Sequence, residues 1–223
     1  METRLVLIEG LPGTGKTTTA GSLARRLSEA GWPGAWWREE EADHPATPRS
    51  LRRTAARPGF AERCLASWER FVDARRPGEP LPILEGAALQ STIRFLLEHA
   101  ADEAEILDFV RALDRVLAPL APLFVHLRAR DPRRHLTGFV YPLRGEAWVG
   151  KVGGHLERTP FCRERGWRGV EGMTRFWLRY AALCDAALRE LSMPVLQIEV
   201  SDTGRVALPE REERVFSRLA SAP

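Results

Sequence analysis

The residues that most constrain this chain lie near its N-terminus, where Gly10 to Thr17 read Gly-Leu-Pro-Gly-Thr-Gly-Lys-Thr. They fit the pattern G-x-x-x-x-G-K-[ST] at every fixed position. Arg4 to Glu9 form the apolar run of a buried strand, and Thr17 to Ala30 have the spacing of an amphipathic helix. Because the pattern binds phosphate in this order of strand, loop and helix, the sequence predicts a nucleoside triphosphate site with magnesium.

Each part of this loop has a physical role in holding phosphate. Its glycines let the backbone turn successive N–H groups towards the β-phosphate, and the helix N-terminus adds partial positive charge. Lys16 supplies a full charge near the β- and γ-phosphates, and the Thr17 hydroxyl is placed to ligate magnesium. We expect these residues to contact the nucleotide: Gly10, Pro12, Gly13, Thr14, Gly15, Lys16, Thr17 and Thr18.

Composition limits the class of protein and its partners. The chain is 44% hydrophobic and 28% charged, which predicts a single domain over residues 1–223. The net charge of +3 is mild, and no basic stripe with interleaved aromatic residues is evident, so no nucleic-acid partner is expected. No apolar stretch approaches the ~20 residues that span a bilayer, so no membrane contact is expected. Scattered cysteines and a strand that starts near Met1 favour a cytoplasmic protein.

Strand and helix patterns alternate along the chain. After the first strand and helix, apolar runs predict four further strands: Gly34 to Trp37, Leu81 to Gly86, Leu123 to Leu127 and Pro194 to Val200. Helical spacing covers Phe60 to Arg76, and Ser91 to Leu117 as one long or one broken helix. The alternation predicts an α/β fold with a five-stranded, mostly parallel sheet and helices on both faces. Ligands then bind at the carboxyl ends of the strands.

The regular pattern weakens over residues 128–172, which are rich in arginine and glycine. We expect this segment to be a lid inserted in the domain, with glycine hinges that permit closure. Arg130 and Arg134 would neutralise phosphoryl charge during catalysis. The alternative is a solvated, irregular insertion whose charges contact nothing.

Two carboxylates follow predicted strands and suit the chemistry of transfer to an alcohol. Asp43 comes after the second strand, and we assign it to accept the proton of an acceptor hydroxyl. Glu85 ends the third strand and is assigned, with Thr17, to the magnesium ion. The two carboxylates are interchangeable at this stage, and Asp43 also suits a helix cap or a solvated turn.

The segment from Ile8 to Thr18 resembles the opening of the nucleoside-monophosphate-kinase-like branch of P-loop kinases, thymidylate kinases in particular. Leu123 to Arg134 is similar to the strand and arginine-rich lid start of those kinases. The resemblance implies a P-loop NTPase fold and phosphoryl transfer. Thymidylate kinases, however, carry an acidic residue where this chain has Pro12, and an Asp-Arg pair where it has Glu85 and Gly86.

These departures favour a small-molecule kinase over a true thymidylate kinase. The same branch includes antibiotic-inactivating phosphotransferases that also lack the nucleotide-specific motifs. The leading hypothesis is therefore transfer of the γ-phosphoryl group of ATP or GTP to a hydroxyl of an antibiotic or nucleoside-like compound. A nucleoside or nucleotide kinase and a regulatory NTP-binding module stay open as alternatives, as do the identity of the acceptor and a homodimeric state.

Overall fold

The computed structural model describes residues 3–47, 58–201 and 208–221. Its sheet has the order β2-β3-β1-β4-β5, and every strand pairing is parallel. The strands are β1 Val6–Gly10, β2 Gly34–Arg38, β3 Leu81–Glu85, β4 Leu123–Ala129 and β5 Val195–Val200. The chain adds β2 and β3 on one side of β1 and β4 and β5 on the other, so right-handed crossovers put helices on both faces. The predicted P-loop NTPase fold with a five-stranded parallel sheet is confirmed.

Burial explains why the central strands read as continuous apolar runs. All five residues of β1 and all five of β3 are buried, as expected for parallel strands covered on both faces. Leu7 pairs with Leu84 of β3 on one side and with Phe124 of β4 on the other. This register brings the ends of β1 and β3 to the same sheet edge, where the phosphate loop begins.

Helices connect and cover the strands. Those of the described ranges are α1 Lys16–Glu29, α2 Phe60–Ala74, α3 Ile93–Glu98, α4 Glu103–Leu117, α5 Pro132–His135, α6 Tyr141–Glu157, α7 Pro160–Glu164, α8 Gly169–Glu190 and α9 Leu208–Ala220. A 3₁₀ turn, Ala118–Leu120, follows α4, and a π-helical turn, Leu136–Val140, joins α5 to α6. None of these helices is long and apolar enough to cross a membrane.

The region predicted as one long or one broken helix is broken. Ala100 adopts a left-handed φ of 57°, which ends α3 and redirects the chain. The carboxylate of Asp102 then accepts the N–H of Glu105 at 2.8 Å and caps the start of α4.

Residues 128–172 are mostly helical, which contradicts the alternative of an irregular insertion. Gly153 is buried within α6, and a Cβ there would lie 4.0 Å from the sulfur of Met173 on α8. Phe161 and Cys162 of α7 are also buried. Tertiary packing therefore overrides the ~1 kcal/mol that each glycine costs a helix. Gly145 keeps a non-helical φ of 76° and kinks α6, while closure of the segment as a lid stays a prediction.

The C-terminal helix α9, which the sequence patterns did not predict, packs on α1. Val215 and Leu219 are buried in this contact. The Arg26 guanidinium of α1 lies 4.3 Å from the ring centroid of Phe216 and also pairs with Glu213. The end of the chain is thus fixed to the helix that carries the phosphate loop.

Candidate functional site

The phosphate loop between β1 and α1 has a backbone that only glycine tolerates at key positions. Gly10 has a φ of 151° and Gly13 a φ of 80°. A Cβ at Gly10 would lie 2.4 Å from the carbonyl oxygen of Leu127, and one at Gly13 would lie 2.6 Å from Cγ2 of Val140. The loop is therefore seated closely against β4 and against the π-helical turn.

Lys16 is buried at the start of α1 and turns its ammonium group back onto the loop. Its Nζ donates to the carbonyl oxygen of Gly10 at 3.0 Å and to that of Leu11 at 3.2 Å. An anion that enters the loop thus meets a full positive charge as well as the partial charge of the helix N-terminus. This arrangement suits the β- and γ-phosphates of a nucleotide.

Thr17 and Glu85 meet across the sheet edge. The Thr17 hydroxyl donates to Oε2 of Glu85 at 2.9 Å, and Glu85 is only 4% exposed. Burial raises the pKa of this carboxyl group, against the opposing effects of Lys16 and of the Thr17 hydrogen bond. Hydroxyl and carboxylate oxygens are hard ligands, and magnesium usually takes one or two from protein beside phosphates and water. The pair therefore fits the predicted magnesium ion.

The structure places a second carboxylate, that of Glu39, near the end of β3. Its Oε1 accepts the side-chain N–H of Gln90 at 2.8 Å. Its Oε2 fills the space beside Gly86, where a Cβ would lie 2.7 Å away. The absence of a side chain at Gly86, noted above as a departure from thymidylate kinases, therefore leaves room for this carboxylate.

The charge of Lys16 affects the pKa values of both carboxylates at this edge. Burial raises the pKa of Glu39, Lys16 and Arg94 oppose that rise, and the charge of Glu85 adds to it. Lys16 opposes the raised pKa of Glu85 in the same way. The charge of Lys16 therefore acts on both carboxylates, the half-buried Glu39 and the buried Glu85, next to the phosphate loop, an arrangement typical of functional sites.

Asp43, the residue predicted to activate the acceptor, is exposed. Its side chain makes no hydrogen bond or ion pair with the described residues, and its role at the acceptor stays a prediction. The neighbouring His44 is buried, and its Nδ1 accepts the N–H of Thr47 at 2.9 Å, which holds the turn. Because β2 ends at Arg38, Glu39 is the first residue of the acidic run and is the one directed inwards.

Arg130 and Arg134 were predicted to neutralise phosphoryl charge, and this role stays a prediction. Both side chains belong to exposed residues. Arg130 pairs through Nε with Oε1 of Glu199 at 2.7 Å, close to the end of β5. Arg134 lies in α5, and its backbone N–H is capped by Asp131 at 3.0 Å.

The structure also shows loop contacts that the sequence did not predict. His135 of α5 is fully buried, and its Nε2 lies 2.9 Å from the carbonyl oxygen of Pro12. Since a carbonyl only accepts, Nε2 carries the proton and donates. More than a hundred residues separate the two, so no local pattern joins them.

Arg211 of α9 contacts the other side of the loop. It is 2% exposed, and its Nη1 donates to the carbonyl oxygen of Thr14 and to Oγ1 of Thr19, both at 3.0 Å. Gly15 has a φ of 88°, and a Cβ there would lie 2.5 Å from the same Nη1. Burial lowers the pKa of this guanidinium. The loop is therefore held between α5 and α9, from segments far along the chain.

Two of the cavities in the described part of the chain differ in their position relative to the loop. The larger, about 380 Å³, is lined by residues of helices and of their connections away from the loop, among them Leu97, Phe161, Trp167 and Leu183. The smaller, about 40 Å³, borders Gly10, Leu11, His126 and Arg128. The larger cavity borders none of the charged groups at the phosphate loop, so the candidate site is the group of charged residues at the loop.

Comparison with known proteins supports the fold. No protein-family model matches this chain, and no curated protein matches it in sequence. Among solved structures, YorR from Bacillus subtilis, solved with phosphorylated GDP, has a TM-score of 0.54 at 14% identity over 97% of this chain and 95% of its own. Shikimate kinase from Bacteroides thetaiotaomicron has a TM-score of 0.52 at 12% identity, over 97% and 98%. At such low identity the likeness concerns the fold alone.

Proposed function

We propose that this protein transfers the γ-phosphoryl group of ATP or GTP, with magnesium, to a hydroxyl of a small molecule. The observation that carries the proposal is the meeting of Lys16, Glu85 and Glu39 at one edge of the sheet beside the phosphate loop. This edge is where a parallel α/β sheet binds its ligands. The folds of YorR and shikimate kinase are consistent with the proposal.

The donor half binds and orients the nucleotide. The loop N–H groups and Lys16 hold the β- and γ-phosphates, which leaves the transferred group at the carboxyl edge of the sheet. Thr17 and Glu85 would hold magnesium, which neutralises charge on the phosphates when it is bound. The Thr17–Glu85 contact of 2.9 Å keeps both oxygens in place beforehand.

The acceptor half supplies a base. In transfer to an alcohol, the acceptor oxygen forms a bond to the γ-phosphorus, the bond to the bridging oxygen breaks, and the hydroxyl proton must leave. We assign that proton to the carboxylate of Glu39, whose raised pKa brings it closer to the value of an effective base at neutral pH. Glu39 thus takes the role that the sequence pattern gave to Asp43. An antibiotic or nucleoside-like alcohol is the acceptor class to screen first.

The proposal is tested by offering the protein magnesium, ATP or GTP, and a panel of nucleosides, nucleoside monophosphates and hydroxylated antibiotics. Mass spectrometry reads each acceptor for one added phosphoryl group. We expect a modified alcohol with the wild-type protein and none with Lys16→Ala. Nucleotide binding with no modified acceptor would contradict the proposal and favour the regulatory module, whereas a modified monophosphate would make the protein a nucleotide kinase.

A further inference from the structure

Glu9 is a fully buried carboxylate that the proposed chemistry does not use. It ends the apolar run of β1, one residue before Gly10. Its Oε1 accepts the backbone N–H of Ala88 at 2.7 Å and that of Leu89 at 2.9 Å, and its Oε2 accepts that of Gln90 at 3.3 Å. Three successive N–H groups therefore converge on one side chain, in the manner of an anion-binding nest.

The segment that follows β3 is attached to β1 by its backbone as well. Gly86 donates its N–H to the carbonyl oxygen of Ile8 at 3.0 Å and has a left-handed φ of 66°. The Ser91 hydroxyl and backbone N–H both bond to the carbonyl oxygen of Gly86, at 2.8 and 2.9 Å. The position of residues 86–91 is thus set by the same strand end that starts the phosphate loop.

Gln90 extends this attachment to the acceptor side. It is 9% exposed, and its Nε2 donates to Oε1 of Glu39 at 2.8 Å. Its own Oε1 is buried and has no hydrogen-bond partner among the described residues. A buried amide with an unpaired oxygen is costly, so simple packing does not explain why an amide stands here. The hydrogen bond to Glu39 explains the presence of an amide at position 90.

We propose that Glu9 is a positioning residue that fixes the carboxylate of Glu39 through the backbone of residues 88–90 and the side chain of Gln90. The phosphate loop and the acceptor base are then located by one strand end, which keeps the donor and acceptor in register. Small displacements of reacting groups lower the rate of transfer strongly, so a link that holds Glu39 in place should raise kcat. The kinetic test of this inference rests on the proposed function. The structural test, hydrogen exchange, does not need an acceptor.

The structural test is hydrogen exchange on the whole protein without any acceptor. Glu9→Gln places an amide against three N–H donors, so we expect faster exchange at residues 88–90. The link further predicts faster exchange in the turn at 38–41, where the N–H of Glu41 donates to the carbonyl oxygen of Arg38 at 3.1 Å. Gln90→Leu, which leaves the Glu9 contacts intact, should affect only the turn. An unchanged turn in both variants would overturn the link, whether or not the protein is a kinase.

The kinetic test is a double-mutant cycle with an acceptor found in the panel. We expect Gln90→Leu to lower kcat about tenfold, with the nucleotide Kd, read with a fluorescent ATP analogue, changed by less than about two-fold. In a Glu39→Gln background the same change should lower kcat less than about two-fold, because the group that it positions is gone. Equal losses in both backgrounds would indicate a general structural role and contradict the inference.

The exposed Gln197 provides the control, because Gln197→Leu changes the same residue type on β5, away from this contact. If Glu9→Gln unfolds, Gln90→Leu alone still decides the kinetic test. A protein that shows the predicted exchange pattern but transfers to no acceptor would refute the proposed function and leave the positioning link standing.

Discussion

The proposed donor and acceptor halves of the site are built by different means. The donor half is one short loop whose shape depends on glycines at positive φ and on the ammonium group of Lys16. The acceptor half brings Glu39 and Gln90 together from the turn after β2 and from the segment beyond β3. Backbone conformation therefore dominates the first half, whereas side-chain charge and packing dominate the second. Apart from Lys16, whose charge also acts on the transferred group, substitutions in the first half should change nucleotide binding and those in the second half should change the rate.

The largest effect is expected from Lys16→Ala. The loop then loses the full charge that faces the β- and γ-phosphates, so phosphoryl transfer should fall about 10³-fold. Initial rates at saturating nucleotide measure the effect, and the circular dichroism spectrum checks that the fold is intact. A variant that folds and transfers at the wild-type rate would refute the donor role of the loop.

Glu39→Gln should lower kcat about 10²-fold and leave nucleotide affinity nearly unchanged. The amide keeps the size of the side chain but cannot accept the proton of the hydroxyl. Steady-state rates and a nucleotide titration on the same preparation measure the two quantities. A loss of nucleotide binding with an unaltered kcat would place Glu39 in the donor half and remove the distinction between the halves.

Arg211→Met should weaken nucleotide binding about tenfold. A hydrogen bond from a charged donor contributes about 1.5–3 kcal/mol, and its loss leaves the loop carbonyl of Thr14 unpaired. Titration with ATP and with GTP measures the change. Arg214→Met, an exposed arginine on the same helix, is the matched control and should have no effect. Equal affinities for both variants would mean that α9 does not support the loop.

The smallest effect is expected from Asp43→Asn. The side chain is exposed and makes no hydrogen bond or ion pair with the described residues, so kcat and nucleotide affinity should change less than about two-fold. Assayed beside Glu39→Gln, this variant decides which carboxylate of the acidic run serves the acceptor. A large loss with Asp43→Asn alone would restore the role predicted from the sequence.

The difference between the halves also explains what the sequence could predict. The phosphate loop was readable because its residues are consecutive and their spacing follows from backbone geometry. The five-stranded, mostly parallel sheet followed from alternating patterns, and the end of β3 at Glu85 was located within one residue. Both rest on local information.

Features that depend on tertiary contacts were not predictable. Nothing in the run from Glu39 to Asp43 tells which carboxylate turns inwards, because this depends on where β2 ends and on the free space at Gly86. Support of the loop by His135 and Arg211 comes from segments more than a hundred residues away. Contacts between segments so far apart produce no local sequence pattern, so a single sequence does not reveal them.

The most direct test of the central claim is the stoichiometry of transfer. With a responding alcohol from the panel, phosphorylated product, remaining nucleotide and free phosphate are measured in the same time course. The account predicts one phosphorylated acceptor for each nucleotide consumed, with little free phosphate. Consumption of nucleotide that yields free phosphate at the same rate with and without acceptor would contradict it, because the γ-phosphoryl group would then pass to water.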